Sequence, residues 1–198
     1  MPTAPRFQAE LAACPVAPFA ARCFRVVELE AYAKAPTPTL LFDLGPKIAK
    51  GGQRFSPPND HRGLYVSTEL ITAGSEFSGG RSKWEAGDCA KHVTFDMAVA
   101  LESVLDLTSA PVRRILHTSK KELLSNWEGF AVLNGGRFPP TWTLGQAAFA
   151  SGRFDGIRFP SNRNPSGTCL LIFTERLVAG RTHVVINRQD GSLWERLP

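Results

Sequence analysis

Short strand-like apolar runs, each closed by glycine, proline or polar turn residues, constrain this chain more than any other feature. Arg22 to Val27, Gly63 to Ser67, His92 to Met97, Ser103 to Leu107, Gly156 to Phe159, Cys169 to Phe173, Val184 to Asn187 and Leu193 to Glu195 all read as strands. Helical patterns are fewer. A short helix is expected around Phe7 to Ala13, and a second carries Leu70, Ala73, Glu76 and Phe77 at helical spacing behind Ser67 or Thr68 as cap. A third opens at Thr108 or Ser109 with Pro111 and runs through Ile115 and Leu123 towards Trp127, and a fourth spans Thr143 to Ala150, stopped by Gly152. This mixture predicts a single α+β domain on a mixed or antiparallel sheet with flanking helices. With 198 residues, 43% of them hydrophobic, the chain can bury a substantial core. Residues 1–21, rich in alanine and proline, read as a lead-in, and residues 22–198 as the domain. Pro36, Pro38, Gly45 and Pro46 mark a loop ending at Gly51-Gly52, where a tight turn or a close ligand approach is expected. The polar, glycine-containing segment 79–90 predicts an exposed loop.

The formal net charge of +5 favours anionic partners. Its basic residues cluster only in doublets such as Arg113-Arg114 and Lys120-Lys121, so no tract marks a nucleic-acid groove or a membrane surface. Cysteines 14, 23, 89 and 169 lack metal-type spacing and are expected to be reduced, with Cys23 and Cys169 acting as small hydrophobes in strands. His61, His92, His117 and His183 are scattered, so no metal is expected. Trp84, Trp127, Trp142 and Trp194 are too irregularly spaced for a stacking platform and are expected to anchor core or loops. Leu11-Ala12-Ala13 and Pro18-Phe19-Ala20-Ala21 faintly imitate an export signal, against which stand Glu10, Pro15 and Pro18. The best apolar stretch, Met97 to Leu107, is interrupted by Glu102 and Asp106 and falls short of the roughly 20 residues of a spanning helix. A soluble, unprocessed, cytoplasmic protein is expected, with homo-oligomerisation left open.

Three polar residues stand out in apolar surroundings: Arg54 after Gly51-Gly52-Gln53, Glu76 after Ala73-Gly74-Ser75, and Ser161 after Phe159-Pro160. Converging on one cleft, they suit a dinucleotide and a ribosyl cation. Taken singly, each has a plain structural role, as a turn arginine, a solvated helix carboxylate or a turn serine.

Several motifs together carry a family resemblance. Gly52-Gln53-Arg54-Phe55-Ser56-Pro57-Pro58, Gly63-Leu64-Tyr65-Val66-Ser67 and Glu76 resemble the first half of the RES domain. Val104-Leu105-Asp106-Leu107-Thr108 resembles its middle strand, and Asp155-Gly156-Ile157-Arg158-Phe159-Pro160-Ser161 its serine segment. The similarity covers about residues 23–175, with 79–87 and the tail after Glu175 not aligned. It departs at Phe55 and Ser56, where many members have tryptophan and asparagine. The resemblance implies a fold like the diphtheria-toxin-like ADP-ribosyltransferases and a toxin that consumes NAD+. It puts Arg54, Tyr65, Glu76 and Ser161 at active-site positions, and Arg25 at an arginine often found in the first strand. It also implies an antitoxin partner, typically a helix-turn-helix protein whose C-terminal part covers the NAD cleft.

The chemistry of those side chains agrees with such an activity. Cleaving the bond between nicotinamide and ribose leaves oxocarbenium-like charge, which a carboxylate such as Glu76 would stabilise. Arg54 offers a planar fork of donors to phosphate or ribose, and Arg25 would share the pyrophosphate. Tyr65 offers a ring for stacking and a hydroxyl at the cleft edge. Ser161 would orient Glu76 or bind ribose, and without a histidine base nearby in sequence it is not read as a nucleophile. Asn162-Arg163-Asn164 is either a phosphate contact or a polar turn. Water or phosphate is the expected acceptor of ADP-ribose. A protein side chain is the nearest alternative, and a non-catalytic nucleic-acid-binding module a more distant one.

Overall fold

Alternation along a strand sends neighbouring side chains to opposite faces, and in this protein it divides the apolar residues into two cores. The computed structural model describes residues 7–34, 53–57, 60–61, 63–125, 139–187 and 192–198. In chain order the elements are α1 (Gln8–Ala13), β1 (Ala17–Glu28), α2 (Leu29–Lys34), β2 (Gly63–Ser67), α3 (Leu70–Ser78), α4 (Arg81–Glu85) and β3 (His92–Asp106). Then follow α5 (Ala110–Ile115), α6 (Lys120–Leu123), α7 (Pro140–Ala150), β4 (Gly156–Pro160), β5 (Thr168–Phe173), a 3-10 turn (Thr174–Arg176), β6 (His183–Asn187) and β7 (Leu193–Leu197).

The strands form a seven-stranded sheet in the order β1-β2-β5-β4-β3-β6-β7, with β1 also paired to β3. The β3–β4 pairing is parallel and the others antiparallel. Because β1 meets β2 at Phe24 and Ser67 and runs along β3 from Ala17 to Glu28, five strands close into a ring. On β5, Cys169, Leu171 and Phe173 enter one core with α1, α5, α6 and α7. Leu170 and Ile172 enter the other, with Cys23, Leu64, Val66, Met97 and Val184. Full burial of a leucine such as Leu171 is worth about 1.5–3 kcal/mol, so this central strand fastens both layers. The α+β class with a mixed sheet agrees with the sequence expectation.

Some boundaries differ. The runs His92 to Met97 and Ser103 to Leu107 are one strand, because Ala98 pairs with Arg22 on one side and Val185 on the other; tertiary pairing outweighs the weak strand preference of alanine. Strand β1 begins at Ala17, ahead of the expected Arg22. The helix opened by Pro111 stops at Ile115, where His117 takes a φ of 50°. A new helix then starts from a reciprocal capping box between Ser119 and Glu122. Neither Ser67 nor Thr68 caps α3; Glu69 is the N-cap residue, and its carboxylate accepts from the hydroxyls of Thr68 and Thr72 at 2.6 and 2.7 Å. Within 79–90 lies α4, whose Trp84 packs on Gly74 so closely that a Cβ there would lie 2.1 Å from the indole. Helix α7 starts at Pro140, a turn before Thr143. The loop from Pro36 to Gly52, with its expected turn at Gly51-Gly52, and Trp127 lie outside the described residues. All four cysteines are free. Among the described residues, no helix is long and apolar enough to cross a membrane.

Candidate active site

Arg25 on β1, Tyr65 on β2, Glu76 on α3 and Arg54 in the preceding loop line one cleft of about 580 Å³, together with Phe77 and Arg163. Ser161, the first residue after β4, is fully buried beneath the carboxylate. Its hydroxyl oxygen accepts from the backbone N–H of Asn164 at 2.9 Å and of Arg163 at 3.2 Å. A serine hydroxyl has one proton. Here it goes to Glu76 Oε1, 2.5 Å away, so the serine fixes the carboxylate and is itself fixed by its loop.

That loop is short and crowded. Ser161 N–H donates to Gly167 O at 3.0 Å, and Gly167 N–H to Asn164 O at 2.8 Å. A Cβ on Gly167 would sit 2.1 Å from Thr72 Oγ1, so only glycine lets the loop lie against α3. Asn164 is buried and donates through Nδ2 to Thr72 Oγ1 at 2.8 Å. Of the segment Asn162-Arg163-Asn164, the first two side chains line the cleft and the third braces the turn. Below Glu76, Cys169 Sγ lies 3.9 Å from Oε1, and burial first, then the Glu76 charge, pushes its thiol up to about 12. A protonated thiol there adds no negative charge to the carboxylate site.

The arginine side is held by distant elements. Gln53 and Ser56 close a turn, N–H to O at 2.7 and 3.2 Å. Helix α7 clamps it: Trp142 Nε1 donates to Gln53 O at 2.7 Å, and a Cβ on Gly145 would lie 1.8 Å from Phe55 O. Arg54 Nη1 donates to Leu123 O and, at 3.4 Å, to Ser125 O at the end of α6. Burial pushes the guanidinium down from its ordinary value, opposed chiefly by the Glu76 charge. Arg25 Nη1 donates to Tyr65 O at 3.0 Å. The Tyr65 hydroxyl accepts from Phe55 N–H at 3.0 Å and meets Ser56 Oγ at 3.1 Å, tying β2 to the arginine loop.

The sequence-selected residues Arg25, Arg54, Tyr65, Glu76 and Ser161 thus come together. Sequence reasoning missed the supports: Trp142 and Gly145 on α7, the carbonyls ending α6, and Thr72 behind the serine loop. It also left Phe24 and Phe77 as ordinary apolar positions, whereas both line the cleft. Among the described residues, no group of three or more His, Cys, Asp or Glu could hold a metal.

A family model described as "RES domain" matches residues 22–194, including most of the tail that the motifs alone did not align. No curated protein sequence matches significantly. A chain of the M. tuberculosis MbcT-MbcA toxin-antitoxin complex, known from a crystal structure, resembles the fold with a TM-score of 0.59 at 16% identity. The likeness covers 96% of this chain and 90% of that one, and at such low identity it speaks to the fold alone.

Proposed function

Since the chain belongs to the RES-domain family, we propose that it is a toxin-like enzyme that cleaves the nicotinamide–ribose bond of NAD+ and passes ADP-ribose to water or phosphate. The observation that carries this is Glu76, held by Ser161 at 2.5 Å in a cleft shared with Arg25, Arg54 and Tyr65. As the bond breaks, its electron pair leaves with neutral nicotinamide and the ribose becomes cationic. The Glu76 carboxylate stabilises that cation, an effect largest for a preorganised charge. Water then adds and releases a proton, or phosphate adds to give a sugar phosphate.

Arg25, Arg54 and Arg163 supply guanidinium charge to the pyrophosphate, and the Tyr65 ring stacks on nicotinamide. The proposed partner is a cognate antitoxin that covers the cleft. The MbcT-MbcA structure is a toxin-antitoxin complex, which supports this partner class. The test is free nicotinamide released from NAD+ by the purified protein, with and without phosphate. Release establishes the cleavage, acceleration by phosphate identifies phosphorolysis, and intact NAD+ in both arms overturns the proposal. Mass added to proteins incubated with labelled NAD+ would instead mark transfer to a side chain.

A further inference from the structure

From the Tyr65 hydroxyl, through residues that do not line the cleft, runs a hydrogen-bonded series that the proposed bond cleavage does not use. Tyr65 Oη lies 3.1 Å from Ser56 Oγ, Ser56 Oγ lies 3.1 Å from His61 Nε2, and His61 Nδ1 lies 2.7 Å from Asp60 Oδ2. Ser56 and His61 are 1% and 5% exposed. The imidazole is stacked on Phe149 at 4.8 Å and meets the edge of Phe173 at 5.0 Å. Buried polar groups in such apolar company persist only when their bonds are satisfied.

The donors and acceptors set a direction. The carboxyl of Asp60 is held below the usual carboxylate range, chiefly by its hydrogen bond to His61, with a further bond from Gln146 on α7. An ionised carboxylate only accepts, so Nδ1 carries a proton. With the ring neutral, Nε2 is an acceptor and takes the Ser56 proton. Ser56 Oγ then accepts from Tyr65, whose oxygen already accepts the Phe55 N–H. Each step from Tyr65 to Asp60 has one donor and one acceptor.

We propose that Asp60, His61 and Ser56 are positioning residues that fix the orientation of the Tyr65 ring against the nicotinamide leaving group through this directed chain. The proposal rests on NAD+ cleavage as the activity of the cleft. A leaving group turned by a fraction of an ångström loses rate without losing affinity, because Arg25 and Arg54 hold the pyrophosphate independently. Misplacement of about 1 Å costs up to about 10²-fold. The Asp–His–Ser order also occurs in acyl-transfer enzymes, but Ser56 is closed from the cleft by its burial and spends its bonds on Tyr65, so it serves as a link and not as a nucleophile.

The test is a kinetic cycle of Ser56→Ala, Tyr65→Phe and the double variant, with NAD+ as substrate. Ser56→Ala removes one buried oxygen and is expected to lower kcat about tenfold with KM changed by less than about twofold. In the Tyr65→Phe background it is expected to cost nothing further, since the chain then has no end to hold. Unchanged kcat in Ser56→Ala, a change in KM alone, or losses that simply multiply in the double variant would overturn the proposal. Nitrogen-15 spectra of His61 in the unliganded protein give a readout independent of turnover. They are expected to show a protonated Nδ1 and a hydrogen-bonded, unprotonated Nε2 that loses its bond in Ser56→Ala. A ring protonated only at Nε2 would overturn the chain even if NAD+ is cleaved. Wild-type protein that releases no nicotinamide, with the expected spectrum, would overturn the activity and with it the positioning role, while leaving the chain's direction standing.

Discussion

On the carboxylate side of the cleft, Glu76 is fixed by Ser161, which is fixed in turn by amides two and three residues further along its own loop. On the arginine side, Arg54 is fixed by carbonyls 69 and 71 residues away, in a loop clamped by a tryptophan 89 residues away from its partner. The serine is placed within its own turn and reaches Glu76 across 85 residues, whereas on the arginine side the loop that carries Arg54 is itself held by distant elements. Under the proposed NAD+ cleavage such a difference suits divided labour: the transition-state charge would meet a carboxylate oriented by a serine set within one short turn, whereas the nucleotide's phosphates would meet groups whose placement depends on how α6 and α7 pack.

The largest effect that would sharpen this contrast is expected from Ser161→Ala. It removes the donor to Glu76 and the acceptor of the Asn164 amide, and leaves the Arg163 amide only its long bond to Glu76 Oε1 at 3.4 Å, so kcat should fall about 10²-fold and stability by about 1–3 kcal/mol. Nicotinamide release and a urea melt measure the two losses; a variant with wild-type kcat would break the carboxylate half of the comparison. Arg54→Lys should act on the other side, raising KM about tenfold, because an ammonium cannot span helix carbonyls and a phosphate as a planar fork does. Steady-state kinetics that show a fall in kcat at constant KM would reverse the assigned roles.

A smaller effect is expected where the fold meets the arginine loop. Gly145→Ala forces α7 away from Phe55 and should cost about 1–3 kcal/mol in denaturant unfolding, with KM rising more than kcat falls. Smallest is the pH dependence of Asp60. Its folded carboxyl lies below the unfolded value of about 3.9, so its stabilisation is present above that pH and disappears as pH falls through the folded value. Unfolding midpoints of wild type and Asp60→Asn should therefore differ at pH 7 and converge in acid. A gap that stays constant down to the lowest pH would show that Asp60 has no such bond.

The carboxylate half of the site was the more legible in sequence. Ser161 followed a strand run and Glu76 lay at a helical position, and both emerge from period-2 and helical spacing plus turn chemistry. Their junction, an 85-residue separation closed at 2.5 Å, was suggested only by the family resemblance. Trp142 was expected to anchor something, but its target, Gln53 O, depends on packing that spacing does not encode. Gly145 lay inside a helical pattern with no sign that a backbone carbonyl presses on it. The continuous β3 was hidden by Ala98 and Ala100, whose weak strand preference is overruled by partners on both edges. The break after Ile115 was hidden for the opposite reason: apolar spacing continued to Leu123, while Ser119 and Glu122 carried a new helix start.

The division of labour is tested most directly by the kinetics of Glu76→Gln, which keeps the shape of the side chain and removes its charge. With NAD+ varied through saturation, kcat for nicotinamide release should fall by about 10²–10³-fold while KM stays within about threefold of wild type. A wild-type kcat, or a loss confined to KM, would contradict the account by making Glu76 a binding group or no part of the chemistry.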